Sequence, residues 1–271
     1  MPASVPAPVS AVPAPVSPVS ASVPAPDTTP ERIVIVGGSS GMGLALAESA
    51  LAGGADVTIV GRSPERLAEA ERQLGGGDRL RAVAADITSE PDTERLFKTV
   101  GETVGAIDHV VLTAADATGA YQPITSFDLE AGRRLVDSKL FGAVLLAKYA
   151  APHLTSGGSI TFTSGIAAYR PAPGGSMVAA VNGALASLTY ALALELAPIR
   201  VNALSPGWVD TPIWDTIAGD GKQARLDAMA QRLPVGRIGT PHDIAEALLA
   251  LMHNRFITAT VLHADGGHRL V

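Results

Sequence analysis

From Glu31 onward the chain alternates between two hydrophobic rhythms. Short β-branched runs at 32–36, 55–60, 80–84, 107–113, 159–163, 200–204 and 260–263 predict strands, and stretches with apolar residues at helical spacing predict helices between them. Residues 44–51 form an Ala/Leu-rich helix right after the first strand, and Ser63-Pro64 with Glu65 in the first turn opens another. The longest helices are predicted over 127–153 and 175–196. Such βα alternation predicts the α/β class: a doubly wound parallel sheet (Rossmann-type) covered by helices on both faces, with ligands at the carboxyl ends of its strands. A single domain, 31–271, holds the whole pattern.

Residues 1–30 follow a different rule, a loose Val-Pro-Ala-Pro and Val-Ser repeat with no charged side chain before Asp27. Proline at this density forbids helix and favours polyproline II, so a disordered tail is expected. It lacks the basic start and unbroken apolar core of a secretory signal. Lys148, Glu195 and Arg200 interrupt the most apolar stretches, so no bilayer-spanning segment is expected and a cytoplasmic protein is.

Composition narrows the partners. With 271 residues, 47% of them hydrophobic and 17% charged, the chain can bury one large core. A net charge of −6 without a basic patch argues against nucleic acid and anionic membranes. The absence of cysteine excludes disulfides, thiolate metal sites and cysteine nucleophiles, and the six histidines have no ligand-like spacing, so no metal is expected.

The clearest chemistry lies in the first strand-to-helix turn, Gly37-Gly38-Ser39-Ser40-Gly41-Met42-Gly43. Gly37, Gly41 and Gly43 remove Cβ atoms where the backbone turns sharply. The amides of Ser39, Ser40 and Met42 then lie at a helix N-terminus, where a pyrophosphate binds. A glycine loop between strand and helix signals a dinucleotide site. The second strand ends in Gly61-Arg62-Ser63, with no carboxylate to take a ribose 2′-OH. Arg62 offers a charged fork to a 2′-phosphate, which favours NADP(H) over NAD(H); the other reading is a solvated loop cation.

Further motifs complete a pattern: Asp86-Ile87, Gly158-Ser159-Ile160 leading to Ser164, Arg200-Val201-Asn202 running into Pro206-Gly207 and Thr211-Pro212, Arg237-Ile238-Gly239-Thr240-Pro241, and Asp265-Gly266-Gly267. Together with the glycine turn they resemble the short-chain dehydrogenase/reductase family over nearly everything after the tail. The resemblance implies a nicotinamide-dependent oxidoreductase with a small-molecule substrate. It implies that Asp86 and Ile87 flank the adenine, that Ala114 leaves room for the cofactor, and that Pro206, Gly207, Val209 and Thr211 clamp the nicotinamide carboxamide. It also implies homotetramers or homodimers packed through the two longest helices.

The departures from that pattern concern the proton. Val36 stands where the family has Thr, Leu112-Thr113-Ala114-Ala115 where it has Asn-Asn-Ala-Gly, and Lys139 where it has Asn. Counting from Ser164, the family's Tyr falls on Met177 and its Lys on Val181, and no Tyr-x-x-x-Lys occurs anywhere in the chain. Ser164 would still polarise a substrate oxygen. Lys139 is either a surface side chain or a substitute cation reaching the volume left by Val181. Tyr169 and Tyr121 are candidate acids or mere packing residues, and His153 reads as a helix C-terminal partner. Residues 208–233, with Ile213, Trp214 and Ile217 around Gly219-Asp220-Gly221, form either a lid over an apolar substrate or an ordinary surface helix and loop. Two functions follow from these residues. One is an NADP(H)-dependent oxidoreductase of a carbonyl, imine or activated alkene with a non-standard proton donor. The other is a redox-neutral isomerase, dehydratase or cyclase, or a silent cofactor binder.

Overall fold

The computed structural model describes residues 29–271, so nearly all of the tail predicted over 1–30 lies outside the described residues. Seven strands form one parallel sheet: β1 Arg32–Val36, β2 Asp56–Gly61, β3 Leu80–Ala84, β4 Ile107–Leu112, β5 Leu154–Thr163, β6 Arg200–Pro206 and β7 Val261–Ala264. Their order is β3-β2-β1-β4-β5-β6-β7. The winding reverses between β1 and β4, which opens a crevice at their carboxyl ends. The predicted doubly wound sheet is the one observed.

Both faces are covered, which is why the central strands are apolar along their length rather than alternating. On one face Leu46 of α1 (Gly41–Ala52) and Leu248 of α9 (Pro241–His253) pack with Ile35 and Ile59. On the other, Phe97 of α3 (Glu90–Val104), Leu146 of α5 (Gly142–Ala150) and Leu185 of α6 (Ser176–Glu195) pack with Val110 and Phe162. The first helix starts at Gly41, three residues ahead of the predicted 44, because the glycine turn itself supplies its first turn.

The helix predicted over 127–153 is not continuous. It divides into α4 (Leu129–Val136), a π turn (Asp137–Phe141) and α5, and closes in a 3-10 turn at Ala151–His153. Ser138 sits in the π turn, where its Oγ donates to Arg134 O at 2.8 Å and accepts from Asp116 N at 2.9 Å. A hydroxyl bonded back into its own helix and tied to a neighbouring loop is a recognised cause of such an irregularity. His153 packs on Gly101 of α3, where an added Cβ would lie 2.5 Å from Nδ1.

α6 is long and apolar enough to cross a membrane by length and composition, against the expectation that no stretch would qualify. Its apolar length has a use within the fold: Val181, Leu185 and Ala193 are buried beneath it.

Glu31 ties the first strand to its surroundings. Its carboxylate lies 3.7 Å from His109 Nε2 on β4 and 3.2 Å from His253 Nε2 at the end of α9. Hydrogen bonding to His109, offset in part by burial and helped by His253, holds its pKa down to about 2. Because the folded value is depressed, the contribution is present above the ordinary 4.5 and is lost as pH falls from there through about 2. Glu31→Gln should therefore cost at most about 1 kcal/mol at neutral pH, since the group is partly exposed, and should flatten the acid limb of stability. Urea midpoints measured from pH 7 down to pH 2 check both statements.

Candidate active site

The turn between β1 and α1 is built by close backbone approach. Gly37 has φ +93°, and a Cβ there would lie 2.6 Å from Ala114 N at the end of β4. A Cβ on Gly43 would lie 2.2 Å from Gly37 O. Thr113 Oγ1 lies 3.2 Å from both Val36 O and Gly37 O, so a hydroxyl from β4 locks a turn that Val36 cannot lock itself. Ser40, at the N-cap of α1, makes no side-chain capping bond. The first-turn amides of α1 are thus left for an anion in the cleft.

That cleft holds about 850 Å³ and runs across the carboxyl ends of β1, β2, β4 and β5. At one end stand Ser39, Arg62, Ser63, Asp86 and Ile87, with Arg66 beside them. Arg66 went unnoticed in the sequence, although its spacing from Arg62 puts it in the first turn of α2 (Pro64–Gln73), where Ser63 Oγ caps its N–H at 3.2 Å. Arg62 faces Asp116 Oδ2 across the cleft mouth at 3.8 Å. Asp86 is held in a turn by Thr88, whose N–H and hydroxyl donate to Oδ1 at 2.9 and 2.8 Å.

At the other end lie Ser138, Lys139, Thr163, Ser164, Pro206 and Thr211. Lys139 is half-buried there, not a surface side chain, and its Nζ donates to Ser164 O at 2.9 Å. No carboxylate pairs with it among the described residues, and burial lowers its pKa to about 8. Ser164 differs from expectation. Its Oγ donates to Asn182 O at 2.9 Å, so its proton is committed to α6 and not to the cleft. The space that Lys139 enters is not that of Val181 either, which packs with Ala120, Leu135 and Val178. The α6 side chain that meets the end of β5 is Asn182, whose Nδ2 would lie 2.7 Å from a Cβ on Gly165. Shifting the count by one residue thus gives Val178 and Asn182, again neither Tyr nor Lys.

Several candidates fall outside the lining of this cleft. The Tyr169 ring stands edge-on to His263 at 4.4 Å, and burial raises its pKa. Tyr121 is 48% exposed. No tyrosine is among the residues that line the cleft. Gly207 and Val209 stand behind Pro206 and Thr211: Gly207 passes so close to Asp265 that a Cβ would lie 2.7 Å from its Cα, and Val209 O accepts from Trp214 Nε1 at 2.9 Å. The segment predicted as a lid contains α7 (Ile213–Ala218) and α8 (Lys222–Ala230). Ile213 and Ile217 face the cleft, Trp214 is turned inward, and Lys222 Nζ joins Asp210 at 2.9 Å to Asp215 at 3.3 Å.

Residues 36–269 match the family profile described as Enoyl-(Acyl carrier protein) reductase. The chain is 34% identical over 248 residues to Short-chain dehydrogenase/reductase malC of Malbranchea aurantiaca, covering 88% of this chain and 94% of that protein. The chain belongs to the short-chain dehydrogenase/reductase family. The solved structure of MalC Reductase/Diels-Alderase superposes with a TM-score of 0.82 at 32% identity, covering 89% of this chain and 97% of that one. Cis-4-hydroxycyclohexanecarboxylate dehydrogenase of Sinomonas cyclohexanicum is 34% identical, covering 89% of this chain and 98% of that protein. A small-chain dehydrogenase in complex with NADPH superposes with a TM-score of 0.74 at 32% identity, covering 90% and 100% of the two chains.

Short-chain dehydrogenases and reductases bind nicotinamide cofactors and act on small molecules. The residues present here fit such a cofactor: a cradle that a Cβ would fill, uncapped helix amides for a pyrophosphate and two guanidinium groups at the β2 end. Gly37→Ala should lower stability by about 1–3 kcal/mol through its left-handed φ and lost clearance, and should abolish nicotinamide binding. Thermal melting together with fluorescence titration of NADPH checks this, and a variant with unaltered melting would contradict the close approach.

Proposed function

We propose that this short-chain dehydrogenase/reductase is an NADP(H)-dependent oxidoreductase of a small apolar carbonyl, imine or activated alkene. In this reading Lys139 takes over the charge and proton that a Tyr and Lys pair would carry. The observation behind it is the Lys139 ammonium on the cleft floor, bonded to Ser164 O, in a lining without any phenol. Bound NADPH would supply the hydride. Gly37, Gly41, Gly43 and the amides of Ser39, Ser40 and Met42 would hold its pyrophosphate. Arg62 with Arg66 would take the 2′-phosphate, Asp86, Ile87 and Ala114 the adenosine half, and Pro206 with Thr211 the carboxamide. Ile213 and Ile217 keep water from the reacting end. Ser164 serves through its main-chain carbonyl, which orients Lys139, and Tyr169 has no part in proton transfer.

The NADP(H) preference draws support from the paired arginines and from likeness to a dehydrogenase in complex with NADPH. Phe141, Val144, Tyr190 and Leu194 leave an apolar face exposed on α5, α6 and the turn before α5, which supports packing of copies into homodimers or homotetramers. Residues 31–271 form the catalytic domain in this reading, with 1–30 as an appendage. A redox-neutral role, cyclisation above all, is the second reading, favoured by likeness to a protein called Reductase/Diels-Alderase.

Mixing the protein with NADPH and panels of ketones, imines and enones, and following nicotinamide absorbance, separates the two. Oxidation with at least one class is expected, and tight NADPH binding without oxidation by any class overturns the oxidoreductase reading. Lys139→Met should cut turnover by about 100- to 10,000-fold, the usual range for loss of an acid–base group, with NADPH binding retained. Arg62→Ala with Arg66→Ala should weaken NADPH by roughly 10- to 100-fold, as expected for lost charged hydrogen bonds, and leave NADH unaffected.

A further inference from the structure

Four lysines occur in the chain, and Lys139 differs from the others in every respect that governs amine reactivity. Lys148 is paired with Glu90 and Lys222 with Asp210 and Asp215, which raise their pKa values, and Lys98 is exposed. Lys139 lies in a cleft of about 850 Å³ with its Nζ bonded to one group, the carbonyl oxygen of Ser164. A carbonyl oxygen accepts only. A neutral amine that spends one N–H on it keeps its lone pair and its second N–H free. The other ionisable side chains lining the cleft are Arg62, Arg66, Asp86 and Asp116, and none of them forms an ion pair with Lys139. Ala115 and Ala117 add apolar wall to the cleft. A desolvated lysine with no counter-ion among the described residues, on the lining of an open cleft, is the setting in which an amine acts as a nucleophile.

We propose that Lys139 captures carbonyl substrates covalently: Nζ condenses with an aldehyde or ketone in the cleft to form an iminium, and the preferred substrates are α,β-unsaturated carbonyl compounds. The proposal deepens the oxidoreductase reading and rests on it for the choice of substrate class. In the condensation a nitrogen–carbon bond forms and the carbon–oxygen double bond breaks. The oxygen leaves as water, taking two of the three protons of the ammonium, and the nitrogen keeps one proton and the positive charge. No electrons are transferred in this step. The iminium draws density from a conjugated double bond and makes its β-carbon electrophilic. A saturated carbonyl reduced at the iminium carbon would stay on the lysine as a secondary amine. A conjugated one that takes hydride from NADPH at its β-carbon leaves a neutral enamine and NADP+, and the enamine takes a proton from water and hydrolyses, so the lysine is regenerated.

The test needs no nicotinamide. The full chain is incubated with trans-cinnamaldehyde and sodium borohydride, digested, and its lysine peptides are compared by mass spectrometry. At a pKa of about 8, against 10.5 for an ordinary lysine, roughly 300-fold more of the Lys139 side chain is unprotonated at neutral pH. Its intrinsic nucleophilicity falls with its basicity, so the expected excess of reduced cinnamyl adduct on Lys139 is at least ~10-fold over each of Lys98, Lys148 and Lys222. The labelling rate should rise with pH through about 8, the value to which burial brings Lys139, and level off above it. Lys139→Arg, which keeps the charge, should remove this adduct alone. Should that variant fail to fold, the pH profile of the wild-type adduct decides by itself. Labelling that follows exposure, or a Lys139 peptide that stays unmodified, overturns the proposal. If NADPH oxidation continues while trapping fails, only the covalent step is lost. If trapping succeeds while no substrate class oxidises NADPH, the oxidoreductase reading is what fails.

Discussion

The site depends on a contact between backbones. The end of β1, the end of β4 and the first turn of α1 approach so closely at Gly37 and Gly43 that a single Cβ would fall within 2.2–2.6 Å of main-chain atoms. Interiors are packed like crystals, so such clearances cannot be recovered by small side-chain shifts. Because the three segments meet there, the strand order is what sets the cleft: β1 and β4 are neighbours across the point where winding reverses. Thr113, just past the end of β4, adds a hydroxyl to the same junction.

At the Lys139 end of the cleft the same logic runs through a hydrogen-bond chain in place of steric closure. Asn182 O accepts from Ser164 Oγ, and Ser164 O accepts from Lys139 Nζ, so α6, β5 and the π turn are joined through one serine residue. The cation sits in the π turn before β5, and α6 after it offers an amide, Asn182, at the same junction. A cation in this position is desolvated and has no carboxylate to hold it among the described residues, which brings its pKa down to about 8.

Strand positions and the glycine turn were legible in the sequence because they depend on local rules: β-branched runs, and a glycine wherever a Cβ has no room. Arg62, Asp86 and Ile87 were legible for the same reason, as they stand at the ends of recognisable strands. Side-chain direction was not. Whether Ser164 Oγ points at the cleft or at α6 depends on Asn182, a contact 18 residues away that no periodicity reveals. Tyr169 was a reasonable candidate by position, but its ring is committed to His263 on β7, across the sheet in sequence and adjacent in space. The break in the long helix was hidden too, since Asp137-Ser138-Lys139-Leu140-Phe141 has neither Pro nor Gly to announce it.

That break also bears on how Lys139 is held at the cleft. A π turn is the shape a helix takes when it carries one residue more than its fixed ends allow. α4 and α5 are anchored by separate packing, Leu135 beside Val178 and Leu146 in the core under the sheet, so neither half can rotate to absorb the surplus. Removing any one residue from 137–141 would restore a regular helix only by turning one half about 100° relative to the other. The packing of the two halves therefore holds the π turn in place, and with it Lys139 at the cleft. The side chains that fix the turn, Leu135, Val178 and Leu146, are not among those that line the cleft.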